Sequence, residues 1–323
     1  MYDRNQTPVS EIMLLGFPNI HRFNSILFVL LLLIYLVTIN GNLLIITLVA
    51  NTKKLQSPMY FFLTQLSISD ILLTTDVAPN TLANVMNGGI VMSLVGCITQ
   101  FYVFGASESL ECFILTVMAY DRYLAICNPL RYSSIMDYPM CLNLILLSWL
   151  LGFSFILVTT IMMSTLDFCG PHIIDHFFCD MEPILELSCS DTYTVHLEAL
   201  LLSVPVMVLP LMITLTSYGC IVQAILKISS NIGRQKSFST CSSHLTVVCM
   251  FYGTLIGIYM LPKNNSSLNI TKVISLLYTV VTPMLNPIIY SLRNKDIKEA
   301  AKTILLPIKS YHKTRAATLP VRR

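Results

Sequence analysis

The chain has 323 residues, of which 54% are hydrophobic and 11% charged, with a formal net charge of +3 and a mean hydropathy of +0.70. A soluble domain carries about 25% charged residues, so this composition excludes an ordinary water-soluble domain and makes the bilayer the expected solvent. There is no basic block with interleaved aromatics, which argues against a nucleic-acid partner.

In chain order, residues 1–25 form a polar N-terminus with an acceptor sequon, Asn5-Gln6-Thr7, followed by Pro8. Met1 to Ile20 lacks a charged start followed by an apolar core, so the first span is expected to act as the insertion signal itself. A span needs about 20 mostly apolar residues. Seven such segments are predicted, at about 26–50, 59–86, 97–123, 141–166, 194–226, 241–261 and 270–292. The first and fourth contain no charged residue. The predicted fold is an all-α membrane protein, a seven-transmembrane helix bundle over 26–292. A cytoplasmic tail, 293–323, opens with a short amphipathic helix at about 294–308. In that helix Ile297, Ala301, Ile304, Leu305 and Ile308 share one face. Three further sequons begin at Asn264, Asn265 and Asn269, close to the expected membrane surface.

Lysine and arginine set the orientation. The loop at 51–58 carries Lys53 and Lys54, the third span ends near Arg122 and Arg131, and the next basic loop has Lys227, Arg234 and Lys236. With the tail these make sixteen of the twenty basic residues, all on one side. The opposite loop, 167–193, has none and carries Asp167, Asp175, Asp180, Glu182, Glu186 and Asp191. The basic side is therefore expected to be cytoplasmic and the N-terminus extracellular.

The third span ends in Met118-Ala119-Tyr120-Asp121-Arg122-Tyr123. A charge at bilayer depth costs roughly 2.5–3.5 kcal/mol or more, so an acid–base pair here points to function. At about 100° per residue, Phe104, Glu108, Glu111, Cys112 and Leu115 share a face to which Arg122 returns. Glu108 then stands about 21 Å from Arg122 along the helix. One helix presents an outer polar site and an inner switch residue, as a receptor passing a signal inward requires.

Asp70, Asp76, Glu108 and Glu111 also lie within spans. Asp70 and Glu111 form either an ion- or water-filled centre that rearranges or a satisfied structural pair. Glu108, nearer the outside, either pairs as a carboxylate with an amine or acts as a neutral donor. Pro205 and Pro210 interrupt the fifth span, and Pro283 and Pro287 the seventh. Four of the ten cysteines, Cys97, Cys169, Cys179 and Cys189, fall on the expected oxidising side, where three pairings into two disulfides are possible. A bond from Cys97 to the long loop would pin that loop over the bundle mouth. Cys169, His172, His176 and Cys179 also have metal-site spacing, although a disulfide-locked cysteine is a poor ligand. Neither a nucleotide loop, a Ser/His/Asp order nor a metalloprotease motif is found, so neither enzyme nor cofactor is expected. The absence of an internal repeat argues against a transporter.

The chain resembles the olfactory receptors within the rhodopsin-like G-protein-coupled receptors over nearly its whole length. The resemblance rests on Gly41-Asn42, on Pro58-Met59-Tyr60-Phe61-Phe62-Leu63 with Leu66-Ser67 and Asp70, and on the run from Met118 to Tyr132. It continues through Ser217-Tyr218, the run Lys236 to His244, and Pro283-Met284-Leu285-Asn286-Pro287-Ile288-Ile289-Tyr290. It implies pairing of Cys97 with Cys179 and of Cys169 with Cys189. It implies a small-molecule odorant bound among Phe104, Gly105, Glu108, Ser109, Cys112, Ser203, Tyr252, Leu255, Tyr259 and Thr279. Asn42, Asp70, Glu111 and Asn286 are read as the buried polar centre. Asp121, Arg122, Tyr218, His244 and Tyr290 would form the cytoplasmic switch, and the partner would be a stimulatory heterotrimeric G protein that raises cyclic AMP. Gln56 departs from the family's usual histidine, with a change in loop packing as the expected effect.

Overall fold

The computed structural model describes residues 10–17, 24–169, 172–260, 268–294 and 296–303, with the backbone only at 231–233, 236–240, 259–260, 268–269 and 293. After a strand β1 (Glu11–Leu14) come α1 (Asn24–Asn51) and α2 (Pro58–Asn87), then β2 (Ile90–Ser93), α3 (Leu94–Cys127), α4 (Pro129–Ile135) and α5 (Tyr138–Ser164). The next loop holds β3 (Ile173–Ile174) and α6 (Met181–Leu185). The fifth span is α7 (Tyr193–Ser203) and α8 (Leu209–Leu226), the sixth lies in α9 (Asn231–Met260), and the seventh is α10 (Leu268–Leu276) and α11 (Thr282–Arg293). Residues 296–303 are again helical, and 304–308 of the expected amphipathic helix lie outside the described residues. The described residues thus contain seven helical spans long and apolar enough to cross a membrane. The 28 residues of α1 extend about 42 Å at 1.5 Å per residue, more than the roughly 30 Å hydrocarbon core.

Local chemistry fixes the ends. Ser93 caps α3 by accepting from the Gly96 amide at 3.0 Å, and Asp137 caps α5 by accepting from the Met140 amide at 2.9 Å. Gly88 closes α2 in the left-handed region, at φ 70°, where a side chain would be strained. Two prolines coincide with wide turns. Pro205 lies in a π-helical turn, Val204–Val208, between α7 and α8; Pro283 follows a second, Leu277–Val281. A wide turn absorbs the amide that proline lacks, and it rotates Tyr278, Thr279 and Val280 into the interior.

The sequence predicts helices alone; the structure adds a three-stranded sheet in the order β2-β1-β3. β1 runs antiparallel to β2, with Ile12 opposite Met92, and parallel to β3, with Met13 opposite Ile173. Ile12 and Leu14 point inward and Glu11 and Met13 outward, the two-residue alternation of a strand. The inward pair packs on Cys97, Phe101, Phe168 and Ile174. The sheet closes this end of the bundle, the sheet end.

α3 is the most buried span and packs against α2, α5 and α8. Small residues let α5 approach. A Cβ on Gly152 would lie 3.1 Å from the Leu110 amide nitrogen, and one on Gly105 would lie 3.1 Å from Ile156 Cγ2. Leu30, Leu33, Leu146, Leu150, Leu200 and Leu201 remain exposed on the outside, forming the belt that acyl chains cover.

Candidate functional site

The candidate site residues occupy three levels along α3. At the sheet end, the loop 167–193 folds over the helices. Disulfides join Cys97 to Cys179 and Cys169 to Cys189, with Cα atoms 5.4 and 5.8 Å apart, the pairing implied by the resemblance. Gln100 holds the same loop, accepting from the Cys179 amide at 3.0 Å and donating to the Asp76 carbonyl at 2.9 Å. Beneath it, Phe104 meets Phe178 at 4.8 Å and the edge of Tyr278 at 6.0 Å. Phe251 continues the aromatic wall to Tyr278 at 5.9 Å and Tyr252 at 5.2 Å.

The residues read as ligand-binding are not all alike in this setting. Phe104, Ser109, Cys112, Tyr252, Leu255 and Thr279 are buried, and Glu108 is half-buried. Thr279 donates to the Ser275 carbonyl at 2.8 Å. Gly105 faces Ile156 of α5, so its place is a helix contact. Ser203 is partly exposed and donates to Leu200 of its own helix at 2.7 Å. Tyr259 lies on α9, but its side chain is outside the described part, as is Asn5 with its sequon. The sequons at Asn264 and Asn265 also lie outside the described residues, and at Asn269 only the backbone is described.

His172 and His176, with metal-like spacing in the sequence, are engaged differently here. His172 Nδ1 lies 3.1 Å from the Glu11 carbonyl oxygen. His176 is buried, stacks on Phe177 at 4.8 Å and meets the edge of Phe178 at 4.7 Å. Burial, and then the nearby Lys272 ammonium, push its imidazole down to about 4. Lys272 was not singled out in the sequence. It is 3% exposed and donates to the Gly16 carbonyl at 2.8 Å and to Asp175 at 2.6 Å. A single ammonium thereby ties the segment after β1, the long loop and the seventh span together.

The middle level is polar and sealed. Asn286 donates to both Asp70 oxygens, at 2.9 and 3.2 Å. Asn42 donates to the Thr38 carbonyl at 3.1 Å and, across the bundle, to the Pro283 carbonyl at 3.3 Å. Glu111 lies beside Asp70 from α3. All four residues are at most 2% exposed, and one oxygen each of Asn42, Glu111 and Asn286 lacks a hydrogen-bond partner among the described residues. Buried polar atoms in that condition are costly, so four helices converge on a centre with spare acceptor capacity.

At the far end, Arg122 Nε donates to Asp121 Oδ2 at 2.9 Å, and a second guanidinium nitrogen bonds the same oxygen. Tyr132 of α4 donates to Asp121 Oδ1 at 2.7 Å. Tyr218 of α8 shares a hydrogen bond of 2.6 Å with His244 Nδ1 of α9, both buried. Tyr290 is fully buried and its hydroxyl has no hydrogen-bond partner among the described residues. The five residues read as a switch thus resolve into an Asp121–Arg122 pair, a Tyr218–His244 pair and Tyr290. Tyr132 is an unforeseen participant, since a single tyrosine beyond the predicted end of the third span carries no sequence signal of its target.

A profile of the family described as "Olfactory receptor" matches residues 31–307. Similar proteins include Olfactory receptor 11L1 of Homo sapiens, 46% identical over 305 residues that cover 94% of this chain and 95% of that protein. Olfactory receptor 10A7 of Homo sapiens is 47% identical over 302 residues, covering 94% and 96%. Olfactory receptor 287 of Rattus norvegicus is 48% identical over 299 residues, covering 93% and 96%.

Proposed function

The chain belongs to the olfactory receptor family, and we propose on that basis that it binds a small odorant beneath the long loop and activates a stimulatory heterotrimeric G protein. It is a multi-pass plasma-membrane receptor and not an enzyme. The positive-inside bias supports an external sheet end and a cytoplasmic Arg122 end.

The observation that carries the reading is the continuity of α3. The same helix contributes Phe104 to the aromatic wall, Glu111 to the polar centre and Asp121–Arg122 to the far end. An odorant acts by population shift: one that contacts the active arrangement more favourably than the resting one moves the equilibrium by that difference, tenfold for every 1.4 kcal/mol. In the resting arrangement Asp121 occupies Arg122, and the Tyr218–His244 bond ties α8 to α9. Activation requires both contacts to yield, with the centre around Asp70 rearranging between them, so that the cytoplasmic face accepts the G protein and cyclic AMP rises.

The test is cyclic AMP in cells expressing the chain, challenged with amines, acids, alcohols, aldehydes and ketones, beside Arg122→Ala. A dose-dependent rise in the parent that disappears in a surface-expressed Arg122→Ala is the expected result. A response that survives the substitution refutes the switch role of Arg122.

A further inference from the structure

Within the ligand space, one side chain lacks the partner its chemistry demands. On the α3 face that carries Glu108, the residues further down, Leu115 and Ala119, are fully buried, while Glu108 itself retains accessible surface. The Glu108 carboxylate makes no hydrogen bond or ion pair with any described residue. The charged neighbours that act on it are acids, Asp180 and Glu111. A carboxylate so placed is costly unless it takes up a proton or a cation meets it.

The opposite wall supplies the complement. The Cys112 thiol lies near both Glu108 and Tyr252, so the two side chains reach one space between α3 and α9. Tyr252 is 3% exposed, and its hydroxyl, beside the Cys112 and Thr116 side chains, makes no hydrogen bond of good geometry with a described residue. One turn above Glu108, Phe104 opens the aromatic wall that runs through Tyr278 and Phe251 to Tyr252. Aromatic faces attract a desolvated ammonium, and apolar walls with few polar groups suit a small organic tail.

Resting on the reading that this space is the ligand site, we infer that the chain is tuned to protonated amines bearing an apolar tail, with Glu108 as counter-ion and the Tyr252 hydroxyl as second contact. Neutral odorants of the same length leave the carboxylate unmatched and bind less well.

The test measures binding apart from signalling. The purified full-length chain in lipid nanodiscs is melted with straight-chain primary amines and with alcohols of matched length. Amines are expected to raise the melting temperature saturably, at concentrations at least tenfold below those at which the alcohols do. Glu108→Gln should abolish that preference and Glu108→Asp should retain much of it. Alcohols stabilising as well as amines, no stabilisation by any amine, or a Glu108→Gln chain that keeps the preference would each overturn the inference. If Glu108→Gln does not fold, the parent's amine-to-alcohol ratio and Glu108→Asp decide it. Parallel cyclic AMP assays separate the two readings. Amine binding without a cyclic AMP rise counts against G-protein coupling and leaves the ligand class standing. A robust response to alcohols alone does the reverse.

Discussion

Tyr218 and His244 share a hydrogen bond of 2.6 Å in the interior, between α8 and α9. A buried bond of this kind contributes about 1 kcal/mol net. Tyr218→Phe removes it and keeps the ring, so if the bond favours the resting arrangement, basal cyclic AMP should rise about fivefold at equal surface expression. An unchanged basal level would show that the pair does not bias the equilibrium. Asn286 presents a different case, because its amide meets both oxygens of a carboxylate that is 0% exposed. Asn286→Ala should destabilise the purified protein by about 1–3 kcal/mol through the acceptors it leaves unpaired. Chemical denaturation or melting would measure this, and a stability equal to the parent's would mean that Asp70 has other adequate partners.

The close approach of α3 and α5 depends on two positions without side chains. A Cβ at Gly152 meets Leu110 backbone at 3.1 Å, and backbone cannot swing aside as a flexible side chain can. Gly152→Leu should therefore force the helices apart at a cost of about 1–3 kcal/mol, seen as a steep fall in surface-expressed receptor. At Gly219 of α8 a Cβ would meet nothing within 4 Å, and Gly219→Ala should be neutral or gain up to about 1 kcal/mol from helix propensity. Equal losses at both positions would refute the packing argument. These elements also divide what was legible in the sequence from what was not. Each span was legible because about 20 apolar residues in succession have few other uses. The π-helical turns were signalled by Pro205 and Pro283 as irregularity, but their width depends on which carbonyls the neighbours satisfy. The sheet was hidden, because Ile12 and Leu14 alternate over only four residues and their partners lie in two distant loops. Gly105 was read as pocket lining through the resemblance alone; only the position of Ile156 shows that a side chain there would meet α5. Lys272 gave no sign, since one of its acceptors is a main-chain carbonyl.

For the whole molecule, the sheet end behaves as one unit. Lys272 joins the Gly16 carbonyl and Asp175, and Asn84 of α2 donates to the Leu14 carbonyl at 2.8 Å. Lys272→Met should free the segment 11–17 and speed hydrogen exchange there and in β3, with exchange at the Arg122 end unaffected. Uniformly faster exchange would mean general destabilisation instead. His176 adds a pH dependence. Its ordinary value of 6.5 falls to about 4 in the folded protein, chiefly through burial, with the Lys272 ammonium adding to the fall and Asp175 opposing it. The unfolded chain takes up this proton first, so the contribution is complete above about 6.5 and is lost as pH falls from there towards 4. Melting temperature should decline over that window, and His176→Phe should flatten the decline. A parallel decline in both proteins would assign it to other groups.

The sheet also sets a timetable for biosynthesis. β1 is made about 80 residues before its partner β2 and about 160 residues before β3. At roughly 5–20 residues per second, the middle strand of the sheet waits about 8–32 seconds for its second neighbour. Throughout that interval it presents unpaired amides and carbonyls, the kind of edge that recruits other chains. The quality-control demand created by the sheet thus falls on Glu11–Leu14, and cellular yield should respond to the chemistry of that strand more than to that of any lipid-facing segment of equal length.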